Sequence, residues 1–281
     1  MQKIALITDS ACDLDLNTLK ENNINLLPLR IIYSNGDYRD RIDISPQEVY
    51  DNLEKEVPKT SLPSAQDTEE TLNRLEEEGY THVIYISISS GLSGSFNAIR
   101  LALEDHPKLT SFVYDSKILA YPQGEIVLEV AKLIKEGTSF EEIVKEIPKI
   151  RKRIIGYFTI NTLEYLKKGG RIGRLAGTVG ELLNLKPIIT TDEDGVFYNV
   201  VKVRGRKQSL SKMTELLKGY LAKGKCEVAV LHAGCEDEAI KYMNSLKDLT
   251  NVVSIKIAEI SPSLGIHGGP GLMGFSVKMV K

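Results

Sequence analysis

The chain lacks any apolar run approaching the roughly 20 residues needed to cross a bilayer, and its first residues lack a signal peptide's charged and apolar blocks. A cytoplasmic protein is therefore expected. Cysteine is scarce. The three present, Cys12, Cys226 and Cys235, have no metal-ligand spacing and form no even-numbered disulfide framework. Cys226 reads as part of a buried strand, and Cys12, near the exit of the first strand, as an inert thiol. Charge is nearly balanced, 36 Lys+Arg against 38 Asp+Glu for a net −2, so bulk attraction to nucleic acid or an anionic surface is excluded. The four histidines, His82, His106, His232 and His267, show no i,i+4 pairing that would suit zinc. ATP-binding signatures are missing too. No Gly-x-x-x-x-Gly-Lys-Ser/Thr occurs, and Gly169-Gly170-Arg171-Ile172-Gly173 follows a helix where a dinucleotide fingerprint follows a strand. No metal or cofactor is expected. Asp192-Glu193-Asp194 reads as a solvated hairpin tip in preference to a cation site.

What is present is an alternation of strands and helices. Ile4 to Thr8 is an apolar strand, and a helix follows around Leu14 to Asn22. Ile24 to Tyr33 reads as one extended stretch leading to an Asn35-Gly36 hairpin turn. Ser45-Pro46-Gln47-Glu48, Ser64 with Asp67, and Ser139 with Glu142 each mark a helix start. Val83–Ile88 and Phe112–Tyr114 are further strands, with helices from Phe96 to Leu103 and from about Gly124 to Glu136. This pattern predicts a parallel, doubly wound sheet whose ligand lies beyond the carboxyl ends of the strands.

The charged helix Ser139 to Arg153 reads as the crossing between two domains. Strands Ile154–Ile160, Pro187–Thr191, Val196–Val203, Glu227–Leu231, Val252–Ala258 and Met273–Val280 then mix hairpins with crossovers around helices Lys207–Leu221 and Asp237–Leu246. The expected architecture is α/β with two domains. Residues 1–152 form a three-layer α/β/α parallel sheet and residues 153–281 a two-layer α/β mixed sheet, with the ligand between them.

Three runs of small polar residues stand out: Thr60-Ser61-Leu62-Pro63-Ser64, Ser89 to Ser95, and Gly265-Ile266-His267-Gly268-Gly269-Pro270-Gly271. The second lies between a strand and a helix, where free backbone N–H groups favour an anion. Each run alone also reads as a turn or cap. Together their hydroxyls, imidazole and glycine backbone suit a carboxylate held by neutral donors, with Thr60, Ser61, Ser93 and His267 as the side chains and Gly268, Gly269 and Gly271 allowing close approach. A second reading is serine hydrolysis by Ser93 and His267. Gly91-Leu92-Ser93-Gly94-Ser95 approximates a nucleophile elbow, but Ser95 stands where the elbow needs glycine, and no acid accompanies His267.

From end to end the chain resembles the DegV family, the fatty-acid-binding subunits of bacterial fatty acid kinases. The resemblance rests on Thr8-Asp9-Ser10, Lys59 to Ser64, Ile88 to Gly94, Thr162 to Ile172, Leu185-Lys186-Pro187-Ile188, Lys202 to Lys207 and His267 to Gly271, in family order. It implies a non-enzymatic carrier with a long-chain fatty acid buried between two domains. The carboxylate would be held by Thr60, Ser93 and His267, with Ser61, Gly94 and Gly268 beside them; sequence does not say which of Thr60 and Ser61 faces inward. The family's basic positions fall on Arg171 and Arg204, suited to the carboxylate, an acyl phosphate or the partner, or else simply solvated. The implied partners are the fatty acid and an ATP-binding kinase subunit, with transient membrane contact. A passive acyl-ligand sensor is the remaining alternative. Two positions depart from the family pattern: Leu62 replaces the usual Gln, and Asn161 replaces Asp as an expected helix cap.

Overall fold

A computed structural model describes residues 2–178 and 185–280. The apolar segments Ile4–Asp9 (β1), Ile24–Leu27 (β2), His82–Ser87 (β6) and Thr110–Asp115 (β7) form a parallel sheet in the order β2-β1-β6-β7. Alternation along the strands selects what covers each face. Ala5, Ile7, Val83 and Tyr85 pack on the helices Ala65–Glu77 (α3) and Ser95–Glu104 (α4). Leu6, Ile84 and Ile86 face the other way, toward Tyr121–Lys135 (α5) and Phe140–Arg151 (α6). That is the expected three-layer arrangement. The short helix Leu16–Glu21 (α1) returns the chain from β1 to β2.

The stretch Ile24 to Tyr33 is not one strand. Pro28 has no N–H to give a ladder, and the chain restarts as Arg30–Tyr33 (β3), pairing with Gly36–Arg39 (β4) and Lys59–Ser61 (β5). The hairpin expected around Asn35-Gly36 forms between β3 and β4, and β5, which the sequence did not signal, completes a separate antiparallel sheet ordered β4-β3-β5. Between β4 and β5 lies Pro46–Asn52 (α2), opened by the Ser45/Glu48 capping box; Ser64 and Ser139 cap α3 and α6 as expected.

The second sheet is mixed. Its strands are Ile154–Thr159 (β8), Ile188–Thr191 (β9), Phe197–Val201 (β10), Cys226–His232 (β11), Val252–Glu259 (β12) and Met273–Met279 (β13), ordered β10-β9-β8-β13-β11-β12. Only β11 and β12 run parallel. One face carries Arg206–Leu221 (α8) and Glu236–Leu246 (α9), packed on Val228, Val230, Phe275 and Val277. The opposite face, with Ala229 and Leu231, joins the core of the first half. Helix α5 packs against both sheets, touching β1 and β6 of the first and β8 and β13 of the second. Two short helices complete the second half: Glu164–Lys168 (α7) after β8, and Pro262–Gly268 (α10), where the sequence suggested a loop.

Candidate functional site

Between the two halves lies a cavity enclosing about 1180 Å³ of space between atoms, the open solvent at its mouth included. Its walls are mostly aliphatic and aromatic, with Leu29, Ile88, Leu119, Phe158, Phe197 and Leu264 among them. Helix α5 lies on the second sheet where Pro122 meets Gly156 of β8, so closely that a Cβ on Gly156 would stand 2.6 Å from the proline ring.

At one end the polar runs converge. Thr60, Ser61, Ser93, His267, Gly268 and Arg171 all line the cavity. Pairing in the small sheet separates the first two. Thr60 sits opposite the buried Ile31 and points inward, whereas Ser61 sits opposite Arg30 on the outer face and is exposed. Thr60 Oγ1 lies 2.8 Å from His267 Nε2. Among the described residues the buried His267 Nδ1 has no hydrogen-bond partner, and it packs on Gly169 so tightly that a Cβ there would lie 2.0 Å away. Burial, assisted by the nearby Arg171 charge, pushes the His267 pKa down to about 4. The imidazole is neutral at pH 7.

Other hydroxyls on the cavity wall are already engaged. Thr190 Oγ1 donates to the Gly156 carbonyl (2.7 Å), Thr191 Oγ1 to that of Lys117 (2.8 Å) and Ser263 Oγ to Asp40 (2.5 Å). Thr60 and Ser93 are hydrogen-bonded too, to His267 Nε2 and to Ser95 Oγ, and their hydroxyl rotors can turn toward a ligand at that end. Among the described residues Arg171 is the one ionised side chain on the wall. Its guanidinium donates to the carbonyls of Leu92 (3.3 Å) and Gly169 (2.7 Å).

Several expectations change. The amides of Ser90, Gly91, Leu92, Ser93 and Ser95 are bonded within their own loop or to Asp115, so the segment before α4 is not the open anion nest its position suggested. Gly94, at the cap of α4, borders an outer polar groove and packs on Leu62. Gly269 and Gly271 hold positive φ, and their amides bond the carbonyls of Gly265 and Ala233 (2.7 Å each). They serve the turn, because a Cβ would strike Tyr165 or Asn161. Arg204 is exposed, bridges to Leu185 and does not line the cavity. Asn161 does not cap α7, whose cap residue is Leu163: Thr162 Oγ1 accepts from Glu164 N, while Asn161 Nδ2 donates to the Pro270 carbonyl. The Asp192–Gly195 tip is no free hairpin end. Arg174 pairs with both Asp192 and Asp194, and Ser89 Oγ donates to the Gly195 carbonyl (2.8 Å).

The hydrolase geometry is missing. Ser93 Oγ bonds Ser95 Oγ (2.8 Å), and His267 has Thr60 on one nitrogen and no acid on the other. Among the described residues no group of His, Cys, Asp and Glu could hold a metal ion, and no helix is long and apolar enough to cross a membrane. Cys12 is buried, and desolvation pushes its thiol up to about 12, consistent with an inert residue.

The sequence and the fold both match known proteins. A family model described as "Uncharacterised protein, DegV family" matches residues 3–279. The chain belongs to the DegV family. It is 49% identical over 278 residues to a DegV domain-containing protein of Clostridium perfringens, covering 99% of both chains. Its fold is similar, at a TM-score of 0.91 and 29% identity, to a Thermus thermophilus DegV family protein described by its fatty acid binding, over 99% of this chain and 100% of that one. A Bacillus subtilis DegV, described as a fatty acid binding protein, aligns over 100% of both chains with a TM-score of 0.90 and 31% identity.

Proposed function

We propose that this DegV-family protein is a cytoplasmic carrier that binds a long-chain fatty acid between residues 1–152 and 153–281. It presents the carboxylate to a separate ATP-dependent kinase subunit, which converts it to an acyl phosphate. The observation that carries the reading is the cavity itself, with mostly apolar walls and the hydroxyls of Thr60 and Ser93 and the neutral His267 imidazole gathered at one end. Thr60, Ser93 and His267 hold the carboxylate, with Gly268 beside them. Arg171 and Arg204 serve the headgroup or the kinase, and transient membrane contact accompanies loading.

The tail supplies most of the affinity. A buried methylene is worth about 0.8 kcal/mol, so a 16-carbon chain contributes about 12 kcal/mol before the costs of binding. The polar end instead fixes the headgroup. In the transfer step a carboxylate oxygen attacks the γ-phosphorus of ATP and ADP leaves. A carboxylate is already deprotonated, so this chain needs no general base, and neutral donors suffice to aim it.

Denaturing extraction of the purified protein, followed by mass spectrometry, tests the reading. A near-stoichiometric fatty acid is expected. Lipid-free protein that also fails to bind added fatty acid overturns it, and Ser93 would then be tested with a fluorophosphonate probe.

A further inference from the structure

Helix α10 carries His267 but is only seven residues long, and its cap residue Ser261 makes no side-chain cap bond. Its first amides are taken by carboxylates from the other half of the molecule. Ser261 N donates to Asp13 Oδ1 (2.8 Å), and Ser263 N donates to Asp40 Oδ1 (3.1 Å) while Ser263 Oγ donates to Asp40 Oδ2 (2.5 Å). Arg41 Nη2 donates both to Asp13 Oδ1 (3.3 Å) and to the Glu259 carbonyl (2.7 Å) just before α10.

Asp40 is wholly buried and directly follows β4. Its own amide donates to the Leu29 carbonyl (2.9 Å). Ser10 Oγ donates to Asp40 Oδ2 (2.6 Å) and accepts from Leu29 N (3.0 Å), which gives the Thr8-Asp9-Ser10 motif a role in the same linkage. One helical turn beyond Ser263, His267 meets Thr60, which belongs to β5 of the same small sheet. The sheet therefore grips α10 at both ends, with a carboxylate at its N-terminus and a hydroxyl at the histidine.

A buried carboxylate is a poor way to gain stability, because an apolar side chain of similar volume often does as well. Its use here is directional. It suits the positive end of a helix and admits one register of Ser263 amide and hydroxyl. We propose that Asp40 is the positioning residue of the headgroup site, setting the place of His267 through α10. This inference rests on the fatty-acid reading above.

The test measures the affinity of hexadecanoic acid and of hexadecanol for the full chain. Both bury the same tail, so their ratio reports the headgroup site alone. In the wild type the acid binds more tightly than the alcohol. Asp40→Ala, which leaves the Ser263 amide without its acceptor, lowers that ratio by about tenfold, the loss expected of hydrogen bonds to a charged group. Alcohol affinity stays near wild type, and Asp40→Asn, which keeps one acceptor, recovers part of the ratio. Ser263→Ala serves as the second variant if Asp40→Ala does not fold, and lowers the ratio by about fivefold, less than Asp40→Ala because the Ser263 amide keeps its bond to Asp40. An unchanged ratio, or equal losses for acid and alcohol, overturns the positioning role while leaving the carrier reading intact. A wild type that binds neither compound, or does not distinguish them, overturns the carrier reading and this inference with it.

Discussion

His267 has a hydroxyl on Nε2, no partner among the described residues on the buried Nδ1, and an arginine close by. Burial and the Arg171 charge both oppose protonation, so its folded pKa falls from 6.5 to about 4. A depressed pKa means the folded state binds fewer protons than the unfolded one. The stability tied to neutral His267 is complete above pH 6.5 and drains away as pH falls from there toward 4. A fatty carboxylate beside the ring reverses one of these terms. Nuclear magnetic resonance of the His267 ring is expected to show a higher pKa when hexadecanoic acid is added; an unmoved titration places the carboxylate elsewhere. Function should divide in the same way. Ser93→Ala or His267→Ala impairs phosphorylation by the kinase more than fatty acid binding, because the tail still supplies most of the affinity. Equal, large losses of both would refute that division. The hydroxyls and the histidine were visible in sequence as small polar runs, but the choice between Thr60 and Ser61 needed the β5–β3 register. Asp40 was hidden for a plainer reason. Between Arg39 and Arg41 and near Asp43 it looks like part of a solvated turn, and only its burial beneath α10 reveals otherwise.

Elements built from local signals were readable and those defined by tertiary pairing were not. The Ser45, Ser64 and Ser139 caps begin helices where their hydroxyls take the first orphan amides, and the alternation in β1 and β6 separates the two helical layers. Strands β3 and β5 are four and three residues long, too short to show a period, and exist because they pair with each other. Helix α10 hid among glycines that ordinarily signal a loop, since its ends are supplied by the other half. Two glycines test this element-level account. Gly169 ends α7 with ordinary negative φ, so alanine there meets no backbone strain, yet its Cβ would stand 2.0 Å from His267 Nδ1. Gly169→Ala is expected to displace the imidazole and weaken hexadecanoic acid binding while the hexadecanol affinity holds. Preserved acid binding would show that the ring can move freely. Gly219 lies inside α8 with nothing within 4 Å of where a Cβ would be. Gly219→Ala should stabilise the protein by about 0.5–1 kcal/mol in urea unfolding, through helix propensity alone. A destabilised variant would contradict that helical environment.

At the scale of the whole molecule, the two halves are joined by α5 as well as by α10, and each junction buries ionisable groups. On α5, Glu125 is buried against β13, where Ser276 Oγ donates to its carboxylate. Desolvation raises its pKa to about 7 despite that bond and the nearby Lys278 and Lys256. Here the sign is opposite to that of His267. A raised carboxyl pKa means the folded state holds a proton that the unfolded chain releases, so Glu125 favours folding most below its unfolded value of 4.5 and loses that contribution as pH rises through about 7. Asp9 and Asp13 act in the same direction, but burial raises them only to about 6, so most of their change is over by neutral pH. The histidine term is flat above 6.5. Between pH 6.5 and 8 Glu125 therefore contributes a falling slope, and the wholly buried Asp40, whose carboxyl desolvation also raises, acts in the same direction. Urea unfolding of the wild type is expected to show declining stability across that window, and Glu125→Gln, a neutral side chain of nearly the same shape that still accepts from Ser276, should flatten the decline and be relatively more stable at pH 8 than at pH 5.5. A variant that follows the wild-type slope would mean that Glu125 ionises freely, and that the contact between α5 and the second sheet admits water.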